Sequence, residues 1–357
     1  MGAVACCNEM NSYKTENPHI YQINRYIKCS HKEEQILTDS QRETNTTLVS
    51  NDKKTKKYKK QYLKNKNGEF MLLSYDVEEE LFVEFYIKFP IIKSIEGMSE
   101  LTIDKKVYLC GISPKQKDQG SFLFQIDINN RNSENEQQIN AEVLINSQYT
   151  HIYPSLIHDE NGRILCVGGK KQTYCELYNL NMNKWFTLPQ LEEERYKCTL
   201  CLDAKENYVY LFGGNNTDIN KGNKENEDDE KVKILRMNLQ RLLIWENLIV
   251  KNNARNITIN RISAGAFTFK FDEDFIFIVG GEDFEENCLD NVLRFSIKNL
   301  KFESTGIKLK IKNKAIFTNK NGVSINEQAY CLIDDFNNIH LIERHDCLPM
   351  DYHPDTI

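Results

Sequence analysis

No run of apolar residues in this sequence approaches the roughly 18–20 needed to cross a bilayer as a helix. The first residues carry no apolar h-region, so a secretory leader is not expected. Neither sign of charge dominates: 46 Lys and Arg stand against 52 Asp and Glu, for a net charge of −6. That excludes the basic footprint of a nucleic-acid-binding surface over the whole chain. The 11 cysteines are odd in number, and most sit in apolar, strand-like runs: Cys110, Cys166, Cys175, Cys198, Cys201, Cys288 and Cys331. Such placement suits small buried hydrophobes in a reducing compartment rather than a disulfide framework. These absences point to an intracellular protein.

Signatures of catalysis are missing as well. The sequence has no Walker loop, dinucleotide fingerprint, nucleophile elbow or helical His-Glu-x-x-His. Cys198-Thr-Leu-Cys201 has the outline of half a zinc site. Residues three apart on a strand point to opposite faces, so these two thiols are not expected to converge. His340, His345, Cys347 and His353 gather near the C-terminus at spacings that match no metal motif and read as a solvated tail. No metal or cofactor is expected.

What the sequence does contain is repetition. Arg163–Gly169 reads R-I-L-C-V-G-G and Tyr208–Gly214 reads Y-V-Y-L-F-G-G. The interval from Gly168 to Gly213, about 45 residues, falls in the range of about 40–50 residues for a four-stranded propeller blade. Asp274–Gly281 (D-F-I-F-I-V-G-G) is a third copy, and Lys106–Ile112 (K-V-Y-L-C-G-I) a degenerate fourth. Each follows another strand-like run and a tight polar turn, so the unit is a hairpin whose second strand ends in glycine. A second signature follows: Tyr178 to Trp185 has the spacing of Phe295 to Phe302 and of Tyr75 to Phe82, with Asn238 to Trp245 close to that frame. The two tryptophans therefore fall at the same place in successive copies. Their expected work is to plug the gap between neighbouring units while the indole N–H finds an acceptor.

A glycine pair at a strand end, then Tyr on the third strand and Trp on the fourth, resembles the kelch repeat. Arg195-Tyr-Lys-Cys198 and Arg261-Ile-Ser-Ala264 stand where kelch repeats place an Arg-containing loop before the innermost strand. The resemblance covers residues 69–345 and implies an all-β, kelch-type β-propeller. Five blades are recognisable. Four are centred on Val107, Leu165, Leu211 and Ile276; the fifth is a hybrid of an outer pair at Phe70–Tyr86 and a hairpin at Ala329–Glu343. Pairing of those N- and C-terminal strands is expected to close the ring and remove its open edges. A divergent sixth blade has room in residues 87–105 or 129–150. Polar inserts at 129–140 and 215–231 are expected as mobile surface loops, and residues 346–357 as a C-terminal tail.

Residues 1–68 read as a polar, largely flexible segment. It opens Met1-Gly2-Ala3-Val4-Ala5-Cys6-Cys7, which resembles an N-myristoylation signal with Cys6 in place of the usual Ser or Thr. One myristoyl chain binds membranes only marginally, and Cys6 and Cys7 offer palmitoylation as the second signal. The lysine run from Lys53 to Lys66 is a further candidate for membrane contact, at about 1 kcal/mol per residue near an anionic leaflet, beside the reading that it is a solvated linker. A short helix is expected over 18–29, begun by Asn17-Pro18, with Ile20, Ile23, Tyr26 and Ile27 on one face.

The kelch resemblance implies that the loops entering the inner strands and those following the glycine pairs share one face. That face would gather His151, Tyr153, Arg195, Tyr196 and Arg261 with Lys170, Lys171, Asn215, Glu282 and Asp283. Arginine and tyrosine are the residue types that most often anchor interfaces. The expected function is a non-catalytic scaffold that grips an acidic or polar segment of a partner protein, held by acyl chains at the cytoplasmic face of a membrane. Two alternatives stand beside it. One is a soluble kelch adaptor or structural component of a ubiquitin-ligase, cytoskeletal or ciliary assembly, although no BTB or F-box-like segment accompanies the repeats. The other is a kelch-like enzyme similar to galactose oxidase, with its copper and modified tyrosine, for which no residue set can be assigned here.

Overall fold

Short runs of Val, Ile, Leu, Phe and Tyr bounded by polar turns satisfy their backbone groups only by pairing edge to edge. The computed structural model describes residues 19–24, 69–76, 81–90, 96–113, 120–132, 135–215, 234–250, 261, 264–267, 274–283, 287–309, 322–325, 329–333 and 339–343. Every regular element among them is a strand. In chain order these are β1 (His19–Asn24), β2 (Glu69–Asp76), β3 (Leu81–Lys88), β4 (Glu96–Ile103), β5 (Lys106–Ile112), β6 (Phe122–Asp127), β7 (Arg131–Asn132), β8 (Asn135–Asn140) and β9 (Glu142–Val143). There follow β10 (Ser155–His158), β11 (Arg163–Val167), β12 (Cys175–Asn179), β13 (Lys184–Leu188), β14 (Thr199–Asp203), β15 (Tyr208–Phe212), β16 (Ile234–Asn238) and β17 (Glu246–Leu248). The last are β18 (Gly265–Phe267), β19 (Phe275–Val279), β20 (Asn291–Ser296), β21 (Lys301–Lys308), β22 (Gly322–Ile325), β23 (Ala329–Ile333) and β24 (Ile339–Glu343).

Four of the sheets are four-stranded and antiparallel: β4-β5-β6-β9, β10-β11-β12-β13, β14-β15-β16-β17 and β18-β19-β20-β21. A three-stranded sheet, β22-β23-β24, follows them, and a five-stranded sheet, β1-β2-β3-β8-β7, precedes them. Apolar layers lie between successive sheets. Tyr108, Cys110 and Leu123 of the β4–β9 sheet pack with Ile164, Tyr178 and Trp185 of the next. Leu165 and Leu177 then pack with Val209, Leu211 and Met237, Tyr210 and Phe212 with Phe295 and Phe302, and Phe267 and Phe277 with Leu332 and Ile342. At about 1.5–3 kcal/mol for each large side chain fully buried, these layers hold the sheets face against face. The result is a propeller-like all-β fold.

The aromatic spacing translates directly into register. Tyr178 lies opposite Trp185, Phe295 opposite Phe302 and Tyr75 opposite Phe82. In the β14–β17 sheet the ladder ends with Arg236 opposite Glu246, so Trp245 follows one position out of frame. Both indoles bond back to the preceding sheet, just past its outermost strand: Trp185 Nε1 donates to Ile145 O at 2.7 Å and Trp245 Nε1 to Pro189 O at 3.1 Å.

Three expectations are corrected. The terminal strands do not form one hybrid blade: both edges of β2 are taken, by β1 and β3, while β23 and β24 stand in their own sheet with β22. Residues 19–24 are a strand and not part of a helix, pairing along β2 from His19–Asp76 to Asn24–Met71. A helix of this length closes too few internal hydrogen bonds to repay nucleation, whereas an open edge supplies partners at once. The insert at 129–140 is largely ordered: β8 runs parallel to β3, with Ile139 opposite Ile87, and both of those side chains are fully buried. One apolar residue in a polar stretch is enough to seat it on an open edge. The insert's counterpart at 216–231, residues 1–18 and 25–68, and 344–357 lie outside the described residues.

Candidate functional site

The hairpins that end in Gly168-Gly169 and Gly213-Gly214 each meet the loop leading into the next sheet, and the join is chemically specific. Gly169 N–H donates to Arg195 O at 2.8 Å, and Gly214 N–H to Arg261 O at 2.9 Å. Gly168 and Gly213 hold φ of 66° and 57°. A Cβ at either would fall inside the contact distance of the same arginine's carbonyl, so only glycine fits. The arginine side chains then turn to their own sheets. Arg195 Nη1 donates to Gly213 O at 3.3 Å and Arg261 Nη1 to Gly280 O at 3.0 Å. Arg261 also donates to Asn291 O at 3.1 Å and Asn291 Oδ1 at 2.9 Å. It is 2% exposed, and burial pushes its guanidinium down to about 10, with Asp290 acting the other way. Arg195 is half-buried and shifted in the same direction for the same reason.

His151 takes the arginine's place one sheet earlier. Its Nδ1 lies 2.8 Å from Gly168 O, the counterpart of Gly213 O and Gly280 O, and equally close, at 2.8 Å, to the Gln172 amide nitrogen. Its Nε2–H donates to Glu176 Oε2 at 2.8 Å. Both side chains are wholly buried. Glu176 is completed by the backbone N–H groups of Gln148, at 2.9 Å, and Tyr149, at 3.1 Å. A carboxylate with three donors is matched well enough to offset its burial. The rings of Tyr149 and Tyr174, two residues before His151 and Glu176 respectively, stack with centres 3.9 Å apart.

A second set of links joins the innermost strands. Ser99 Oγ donates to Pro154 O at 2.6 Å, Ser155 Oγ to Cys198 O at 2.5 Å and Thr199 Oγ1 to Ala264 O at 2.8 Å. Each acceptor immediately precedes the next residue of the series, and the series ends where Gly265 has no hydroxyl. Two residues before each hydroxyl, the backbone is left-handed: Gly97 at φ 60°, Tyr153 at 56° and Lys197 at 55°. Tyr153 N–H donates to Gly97 O at 2.6 Å and Lys197 N–H to Tyr153 O at 3.1 Å. Lys197 Nζ sits over the Tyr153 ring, 5.4 Å from its centre, and Lys170 Nζ over Tyr196 at 5.7 Å. Lys171 is exposed beside them, at φ 65°.

The candidate surface residues therefore divide. His151 and Arg261 are internal braces and cannot touch a partner in this conformation, because their side chains are buried and committed. Arg195 shares that bracing role at the edge. Tyr196 is nearly buried and bridges Asn215 through backbone bonds in both directions, Tyr196 N to Asn215 O at 3.2 Å and Asn215 N to Tyr196 O at 2.9 Å. Tyr153, Lys170, Lys171 and Asn215 stay accessible to differing degrees at this end of the sheets. Glu282 and Asp283 follow the next glycine pair, and Asp283 accepts from Asn287 N at 2.8 Å and Nδ2 at 2.9 Å. Gly2, Cys6, Cys7 and the Lys53–Lys66 run lie outside the described residues. Sequence reading missed Glu176, Gln172, Lys197 and the hydroxyl series. The series was signalled by Ser155 and Thr199 at matching positions, and the left-handed site by Gly97 in line with Tyr153 and Lys197.

Cys198 and Cys201 belong to different apolar layers, Cys198 with Leu165 and Leu211 and Cys201 with Tyr210 and Ile276. Their thiols thus face opposite sides of the sheet. Among the described residues no three His, Cys, Asp or Glu side chains come together as a metal-binding set. No protein-family model matches the chain, and no curated protein matches it with significance.

Proposed function

We propose that the chain is a kelch-type β-propeller acting as a non-catalytic protein-interaction module, tethered to the cytoplasmic face of a membrane by acylation of Gly2 with Cys6 or Cys7. The observation that carries the reading is the repeated join of glycine pair to arginine or histidine. It recurs at consecutive sheets and commits His151, Glu176 and Arg261, the side chains with most chemical potential, to bracing the loops between sheets. In this reading the sheets β1–β3 and β22–β24, at the two ends of the row, meet to close it. At its glycine end Tyr153, Lys170, Lys171 and Asn215 supply cationic and aromatic contacts for an acidic or polar segment of a partner, with Glu192, Glu193, Glu194, Glu282 and Asp283 beside them at the same end. Fold alone does not name that partner.

The test is affinity capture from the protein's own cells with wild type beside a Tyr153→Ala/Lys171→Glu double variant. The expected result is loss of the principal partners from the variant. Identical partner sets would reject this face, and partners drawn only from a soluble ligase or cytoskeletal assembly would favour an untethered adaptor.

A further inference from the structure

In a chain of which 27% is charged, three uncharged segments meet beside Gly168. Residues 143–158, 172–175 and 185–191 contain no Asp, Glu, Lys or Arg. The exposed charges that border them are of both signs, Lys171 and Lys184 against Glu142 and Glu192, and so impose no net field. At the meeting point is an aromatic ridge. Tyr149 and Tyr174, both half-buried, stack with only 7° between their planes. Their backbones are pinned underneath: Tyr149 N–H donates to the buried Glu176 carboxylate, Tyr174 N–H to Gln172 Oε1 at 3.0 Å, and Tyr174 O accepts from Gly168 N–H at 3.1 Å. Little is therefore left to order when a ligand arrives.

Beside each tyrosine stands an exposed carboxamide fixed by a threonine. Thr187 Oγ1 donates to Gln148 Oε1, and Thr173 Oγ1 to Gln190 Oε1, each at 3.3 Å. The oxygens are thus engaged and the amide N–H groups are left over. Among the described residues neither amide nitrogen, nor the phenol oxygen of Tyr149 or Tyr174, has a partner. Ile145, 50% exposed, is held alongside by the bond from Trp185 Nε1 to its carbonyl. The surface is aromatic and apolar, rich in donors and without charge.

That combination selects among peptide conformations. A polyproline II segment makes no internal hydrogen bonds, and where it is proline it offers carbonyl acceptors and no N–H. Its rings pack on aromatic side chains. A helix, whose carbonyls are already engaged, would leave the glutamine donors unmatched, and an acidic or basic segment would find no opposite charge. We propose that the Tyr149–Tyr174 ridge binds a proline-rich segment of a partner protein. Prolines pack on the two rings and on Ile145, and backbone carbonyls accept from Gln148 Nε2, Gln190 Nε2 and the phenols. The side chains are distinct from Tyr153 and Lys171. The inference rests on the interaction-module reading for its cellular role, but binding by the purified protein tests it alone.

The probe is a fluorescein-labelled proline homopeptide of about nine residues, some three turns of polyproline II, titrated with the full-length protein and read by anisotropy. Saturable binding is expected, with none for a Gly-Ser peptide of the same length. Tyr149→Ala and, separately, Gln148→Leu/Gln190→Leu should each weaken binding by roughly tenfold or more. Tyr153→Ala/Lys171→Glu should leave it within about twofold. The glutamines are on the surface, so their variant reports on the site even where Tyr149→Ala does not fold; an unchanged urea midpoint verifies each variant.

Wild-type protein that does not bind the proline peptide overturns the proposal and leaves the Tyr153–Lys171 face untouched. Binding that survives Gln148→Leu/Gln190→Leu, or that falls only with Tyr153→Ala/Lys171→Glu, overturns the site. Equal binding of the Gly-Ser peptide overturns the selectivity for proline. Tighter binding of a linear glucose oligomer assigns the ridge to carbohydrate and overturns the ligand class.

Discussion

Replacing Gly213 by alanine should cost far more than its single added methyl suggests. The residue sits at φ +57°, and a Cβ there meets the Arg261 carbonyl oxygen well inside contact distance, with Arg261 N at 2.9 Å and Arg261 C at 3.0 Å. The left-handed backbone alone costs about 1–2 kcal/mol for an L-residue. Relief of the clash must move backbone, because no flexible side-chain end is available to give way. That movement breaks the 2.9 Å bond from Gly214 N–H to Arg261 O and leaves buried polar groups unpaired, for about 1–3 kcal/mol more. The expected loss is about 3–4 kcal/mol. Gly306 supplies the control: its φ is +81°, yet nothing lies within 4 Å of a Cβ built there. Gly306→Ala should lose only the backbone part, about 1–2 kcal/mol. Urea unfolding followed by the fluorescence of the two buried tryptophans measures both. Equal losses, within about 0.5 kcal/mol, would refute the claim that the glycine pair exists for the join between sheets.

Other outcomes follow from the same contacts. Arg261→Met, which removes the donors to Gly280 O, Asn291 O and Asn291 Oδ1, should destabilise by about 3 kcal/mol, and Arg195→Met, at a half-buried site, by clearly less in the same unfolding assay. Glu176→Gln weakens the charged acceptor shared by His151, Gln148 and Tyr149 and should lower the unfolding midpoint by about 2–3 kcal/mol of stability; an unchanged midpoint would show that the buried pair is not a brace. Burial pushes the Cys175 thiol up to about 12, from about 8.5 in an unfolded chain. Between those values the unfolded state has released a proton that the folded state keeps, so stability is intact below the window and falls as pH rises through it, by at most about 1.4 kcal/mol per pH unit for this group. Alkaline unfolding of wild type beside Cys175→Ala should show the shallower slope in the variant.

Much of this was legible because it is local. The glycine pairs, the Tyr178–Trp185 spacing and the polar turns before each second strand are decided within a few residues, and each has a single structural solution that recurs. What escaped the sequence depends on partners far away in the chain. His19–Asn24 becomes a strand because β2 presents an open edge some fifty residues later, and Ile139 orders the insert at 129–140 because Ile87 lies opposite it. The role of His151 was hidden by its chemistry: the matching positions in the next two copies are arginines, and only the shared acceptor, the first glycine's carbonyl, reveals that all three do one job. Arginine normally marks surface, so the burial of Arg261 ran against its residue type. The hydroxyl series was visible as aligned Ser155 and Thr199, but hydroxyls are common in strands and the alignment alone did not distinguish a link from a coincidence.

The most direct test of the central claim, a tethered interaction module, is intact-mass analysis of the protein taken from its own cells. The account predicts Gly2 exposed by removal of Met1 and carrying a myristoyl group, with one or both of Cys6 and Cys7 thioacylated. A chain with an unmodified Gly2 would contradict it.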